Sequence, residues 1–129
     1  MKIIKQFYTI NSSFNKVWDA LVNPKTIDAW GGGPAKMSDE ENFEFSLWGG
    51  EIFGKNIEVV KNKKLVQDWY GGKWDKPSTL TFILKGNKNK TTVELVQEGV
   101  PENEIDDIEE GWKNYYMIPL KEFVEKNNS

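Results

Sequence analysis

Asn56, Glu58, Gln67 and Gln97 are polar side chains set among apolar neighbours in extended stretches, and they bring most of the chemistry to this sequence. Alternation along a strand groups Ile52, Gly54, Asn56 and Glu58 on one face, Leu65, Gln67 and Trp69 on the next, and Val93, Leu95 and Gln97 on a third. An amide or carboxylate buried without a partner costs roughly 1–3 kcal/mol, so such groups imply a hydrogen-bond network, ordered water or a ligand. A largely apolar pocket with a few polar groups is the usual make-up of a small-molecule site. Alternatively, Asn56 and Glu58 lie near the open end of the sheet and reach water. One acid–base pair offers itself, Glu58 as base with Tyr116 as acid, on condition that burial raises the carboxyl pKa toward neutrality.

Residue types that are missing exclude more than those present suggest. The 129 residues contain no Cys and no His, and all 17 basic residues are Lys. Thiolate chemistry, disulfides and thiolate metal sites are therefore out, as are Ser-His-Asp and histidine-zinc schemes. No guanidinium fork is available to clamp a phosphate or carboxylate in two places. No carboxylate metal site stands out, so neither a metal nor a cofactor is expected, and the chain is read as non-enzymatic. A net charge of -3 gives no basic excess for nucleic acid or an anionic membrane. The first residues lack a signal-peptide core and no later run could span a bilayer, which predicts a cytoplasmic protein.

The elements that must position these residues follow from periodicity. Residues 3–10 read as a strand. Phe14, Val17, Trp18 and Leu21 define a short helix to Val22 with Ser12 or Ser13 as N-cap, and Asn23-Pro24 starts a second through Trp30. Alternation from Phe43 to Leu47, a Gly49-Gly50 turn and the stretch Ile52 to Val60 predict a hairpin. Strands follow at residues 65–70, 78–84 and 91–98. From Pro101 an acidic first turn leads into a long helix whose stripe of Ile105, Ile108, Trp112, Tyr115 and Tyr116 must lie on the sheet. Pro119 should kink that helix or shift its register near Ile118. The fold class is α+β, one domain over residues 1–129.

The ordered set Val17-Trp18-Asp19-Ala20-Leu21, Asn23-Pro24, Trp30, Phe45-x-Leu47-Trp48-Gly49-Gly50-x-Ile52-x-Gly54, Leu65-Val66-Gln67-x-Trp69, Leu80-Thr81-Phe82, Thr92-x-Glu94-Leu95, Gly99-Val100-Pro101 and Gly111-Trp112 resembles the activator of heat-shock protein 90 ATPase homologue family. The resemblance runs almost from end to end. It implies the helix-grip fold of the START-like, or SRPBCC, superfamily, in which a curved antiparallel sheet wraps the C-terminal helix and leaves a cavity. Eukaryotic co-chaperones of this family join a separate N-terminal domain to a C-terminal one, and these residues match the latter.

Taken together, these features predict a small hydrophobic or amphipathic ligand held between Trp69, Phe82, Leu95 and the helix residues Ile108, Trp112, Tyr115 and Tyr116. Asn56, Glu58, Gln67 and Gln97 would orient it. The alternatives are a co-chaperone-like module for a heat-shock protein 90 type ATPase and, less favoured, a cavity enzyme of the cyclase or hydrolase type. Six Trp are present, and Trp30, Trp48 and Trp74 adjoin loops where they form a pocket mouth, dock a partner or cap the sheet. Trp74, in the loop after Tyr70, is the candidate mobile lid or partner contact. Gly54 and Gly111 mark either a close backbone approach or room for the cavity.

Overall fold

The computed structural model describes residues 3–127. β1 (Ile4–Ile10) leads into α1 (Phe14–Val22) and α2 (Pro24–Trp30), followed by β2 (Glu44–Leu47), β3 (Ile52–Val60), β4 (Lys64–Gly71), β5 (Ser78–Gly86) and β6 (Thr91–Glu98). Together the strands form one antiparallel sheet in the order β1-β6-β5-β4-β3-β2, curved around a long C-terminal helix in the helix-grip manner. No helix among the described residues is long and apolar enough to cross a membrane.

α1 buries the predicted stripe, Val17, Trp18 and Leu21 included. Its cap differs from expectation: Ser13 holds the N-cap position without a side-chain hydrogen bond, and the buried Ser12 hydroxyl has no partner among the described residues. Asn23 does act as predicted, its Oδ1 accepting from the Lys25 N–H at 3.0 Å to start α2 behind Pro24.

Leu47 pairs with Ile52, so the β2–β3 connection is four residues, Trp48 to Glu51, and not a two-residue glycine turn. Trp48 itself takes a left-handed conformation at φ +49, which a bulky side chain adopts only when its surroundings hold it. Those surroundings are specific: its N–H donates to Gly32 O at 2.9 Å and its Nε1 to Gly31 O at 2.8 Å.

One irregularity in the sheet decides a functional question. A β-bulge between Asn56 and Glu58 shifts the pairing, so that Asn56 faces Gln67 but Glu58 faces Val66 and Val59 faces Leu65. The extra residue reverses the alternation. Glu58 therefore points outward, exposed, with its carboxylate 3.5 Å from Lys64 Nζ.

The C-terminal helix consists of α3 (Ile105–Gly111), a π-helical stretch (Trp112–Met117) and α4 (Ile118–Lys126). The register shift expected of Pro119 lies one residue before it, where the Ile118 N–H donates to Lys113 O, five residues back. Such π-helical turns frequently occur at functional sites. Here the stretch carries Trp112 and Tyr116 inward.

Candidate functional site: an aromatic cleft

An apolar cleft of about 320 Å³ opens between the first half of the long helix and the β3–β4 side of the sheet. The β2–β3 turn contributes Trp48 and Glu51, β3 contributes Ile52 and β4 contributes Trp69. The helix contributes Ile108, Gly111, Trp112, Tyr115 and Tyr116. Its rings are inclined to one another: Trp48 and Tyr116 lie 6.2 Å apart at 71°, and Trp112 and Tyr116 4.7 Å apart at 54°. Tyr115 is 71% exposed, which puts it at the rim, whereas Tyr116 is buried. Burial pushes the Tyr116 hydroxyl well above its ordinary pKa, so it stays neutral at physiological pH.

Trp69, Ile108, Trp112, Tyr115 and Tyr116 thus meet as the sequence predicts. Phe82 and Leu95 do not join them. Both are fully buried, and the Phe82 ring lies against Trp112 at 5.8 Å and Tyr116 at 5.9 Å.

The orienting amides are also elsewhere. Gln67 Nε2 donates to Asn56 Oδ1 at 2.9 Å, and Asn56 Nδ2 donates to the carbonyls of Ser38 and Glu40 at 2.8 and 3.0 Å. This pair anchors the loop before β2. Gln97 accepts from Trp112 Nε1 at 2.6 Å and donates to Ser78 Oγ at 2.8 Å, and Ser78 Oγ donates in turn to Trp69 O at 2.9 Å. The second chain ties β4, β5, β6 and the helix together beneath the cleft. All three amides are buried. Asn56 and Gln97 have both amide atoms bonded within the fold and Gln67 has its Nε2 bonded, which accounts for their burial without a ligand.

Glu58 is corrected outright, since the bulge turns it to the opposite face from Tyr116. No Glu58–Tyr116 acid–base pair assembles.

Trp74 is anchored, contrary to the expectation of a mobile lid: its Nε1 donates to Glu104 Oε2 at 2.8 Å and its ring leans on Trp69 at 5.7 Å. Trp30 is buried, with its Nε1 donating to Ala20 O at 2.9 Å.

Trp69 itself contrasts with these other indoles. Its Nε1 is buried and has no acceptor among the described residues, although buried indole N–H groups usually find one.

Glu51 is a wall residue that sequence reasoning missed. The available signal was its place directly after the Trp48-Gly49-Gly50 turn.

The two glycines separate cleanly. A Cβ on Gly54 would lie 1.8 Å from the carbonyl oxygen of Asp68, a close backbone approach, while a Cβ on Gly111 meets nothing within 4 Å and faces the cleft.

The profile of the family described as "Activator of Hsp90 ATPase homolog 1-like protein" matches residues 11–125. A Dictyostelium discoideum protein named "Activator of 90 kDa heat shock protein ATPase homolog" is 36% identical over 108 residues, covering 81% of this chain and 28% of that protein. The Hsp90 co-chaperone AHA1 of Saccharomyces cerevisiae is 27% identical over 124 residues, covering 88% of this chain and 35% of its own. Among solved structures, PFC0360w, an HSP90 activator from Plasmodium falciparum, shares the fold with a TM-score of 0.89 over 96% of both chains at 18% identity. The chain spans 28–36% of the length of curated relatives that it matches.

Proposed function

The chain belongs to the activator of Hsp90 ATPase homolog 1-like family, and from that membership and the cleft geometry we propose that it is a non-catalytic binding domain whose aromatic cleft takes a small amphipathic molecule. The observation that carries this reading is the convergence of Trp48, Trp69, Trp112, Tyr115 and Tyr116 on one open cleft of about 320 Å³. That volume falls at the lower end of small-molecule pockets, about 300–1,000 Å³, and such pockets are lined mainly by apolar and aromatic groups. What supports binding over catalysis is the chemistry of the wall. Glu58, the base that the sequence offered, lies on the other face of the sheet from Tyr116, the acid it would have paired with.

Native mass spectrometry beside a denatured control tests the proposal. The expected result is an adduct that is lost on denaturation and absent from a Gly111→Phe variant, whose ring would occupy the cleft. A bare mass, together with no response of the indole signals to amphipathic probes, would overturn it.

A second reading is favoured by the relatives' names. The domain would serve as a co-chaperone-like module for a heat-shock protein 90 type ATPase, with its surface as the docking element. Retention of the host's chaperone on the immobilised domain at low salt, with a change in its ATPase rate, would support this role. No retention would remove it. Either role would be carried out in the cytoplasm.

A further inference from the structure

The geometry points to a specific class of ligand for the cleft: an alkylated ammonium ion carried on an apolar body, with Glu51 as its counter-ion. This deepens the small-molecule reading above and rests on it. Two observations combine. First, the walls present aromatic rings in several planes, with Trp48 and Trp112 inclined to Tyr116 by 71° and 54°. A group seated in the cleft contacts rings set at different angles, and an aromatic face carries the negative part of the ring quadrupole, which attracts cations. Second, Glu51 is the charged residue lining this cleft, and it makes no ion pair with another described residue. The cleft lining contains no Lys to compete for that carboxylate.

The ligand's chemistry follows from these walls. An anion would face both the ring quadrupoles and Glu51. A neutral hydrocarbon would gain burial alone. A primary ammonium is compact and strongly hydrated, and it would have to give up that water to enter an apolar cleft. An alkylated ammonium sheds water more readily, fills apolar surface with its methyl groups and still carries the charge that the rings and Glu51 attract. Trp48 is held for this purpose at some conformational cost. Its left-handed backbone at φ +49 is fixed by hydrogen bonds to Gly31 O and Gly32 O, and backbone strain of this kind tends to be kept at binding sites.

The test compares benzyltrimethylammonium with neopentylbenzene, in which carbon replaces the charged nitrogen at nearly unchanged shape. Indole N–H signals of the intact protein are followed by NMR during each titration. The cation should bind at least about tenfold tighter than the neutral compound, a preference within reach of desolvated cation–aromatic contacts. It should shift the Trp48, Trp69 and Trp112 signals more than that of Trp18. Glu51→Gln, at an exposed turn, should lower the cation's affinity about three- to tenfold without changing that of neopentylbenzene. Equal affinity for the two compounds would overturn the ammonium assignment and leave the small-molecule cleft standing. Failure of both compounds to shift any cleft indole would overturn the two readings together.

Discussion

Trp112 Nε1 lies 2.6 Å from Gln97 Oε1, and this buried hydrogen bond joins the π-helical stretch to the middle of the sheet. Gln97 passes the connection to Ser78, and Ser78 to the Trp69 carbonyl, so one side chain organises the floor beneath the cleft. Gln97→Met keeps the length and apolar stem of the side chain but can neither accept from the indole nor donate to the hydroxyl. The expected loss is about 1–3 kcal/mol, the cost of leaving a buried polar group unpaired. Urea denaturation measures it, and an unchanged midpoint with an unchanged slope would show that the chain of bonds contributes nothing net.

The Trp69 and Trp112 indoles differ in a way that a matched pair of variants can read. Both rings are buried and both touch the cleft, yet one N–H is bonded and the other has no acceptor among the described residues. Trp112→Phe leaves Gln97 Oε1 without its donor. Trp69→Phe removes an unpaired donor while shrinking the ring by the same amount. Trp112→Phe should therefore be the more destabilising by about 1–2 kcal/mol, the difference being the hydrogen-bond contribution. Equal losses in thermal or urea unfolding would contradict the assignment of the Trp69 N–H as unsatisfied.

Sequence periodicity carried the element order, the register shift ahead of Pro119 and the helix face that forms one wall of the cleft, because these depend on residues near one another in the chain. It failed where one local event reset the pattern. The bulge after Asn56 inverts the alternation, so Glu58 and Val59 exchange faces, and no residue type at that point announces it. The amides failed for another reason. Whether Asn56, Gln67 and Gln97 orient a ligand or satisfy one another depends on partners contributed by the Ser38–Glu40 loop, β5 and the helix, and strand alternation carries no information about those. The mobile-lid reading of Trp74 failed similarly: a glycine-flanked loop suggests mobility, but Glu104, thirty residues along, holds the indole.

Tyr116 predicts how stability falls at alkaline pH. Its folded pKa is raised by burial above the value of 10 in the unfolded chain. Below about pH 10 both states hold the proton and the group contributes no pH dependence. Above it the unfolded chain releases the proton while the folded one retains it, so stability declines, with a limiting slope of about 1.4 kcal/mol per pH unit until the folded pKa is reached. Half-buried Tyr8 is shifted in the same direction. Comparing urea midpoints at about pH 9 and about pH 11.5, the parent protein should lose more stability than Tyr116→Phe. An identical fall in both would mean that Tyr116 ionises freely in the folded state.

Gly54 and Gly111 give opposite forecasts for the same substitution. At Gly54 an added methyl would collide with the Asp68 carbonyl at 1.8 Å and approach the Phe45 ring at 3.0 Å, both fixed parts of the β2–β3–β4 sheet. Gly54→Ala should therefore cost about 3 kcal/mol, a large value for a single methyl, because strands rather than a flexible side chain must move. At Gly111 the backbone is helical, φ -62 and ψ -40, and the methyl enters open space. Gly111→Ala should stabilise the helix by about 0.5–1 kcal/mol through reduced freedom of the unfolded chain. The same methyl narrows the cleft, so ligand affinity should fall while stability rises. Thermal unfolding of the two variants, with indole-monitored titration of the second, measures both effects. A Gly111→Ala protein that is more stable and binds amphipathic probes as well as the parent would place their site away from this wall of the cleft.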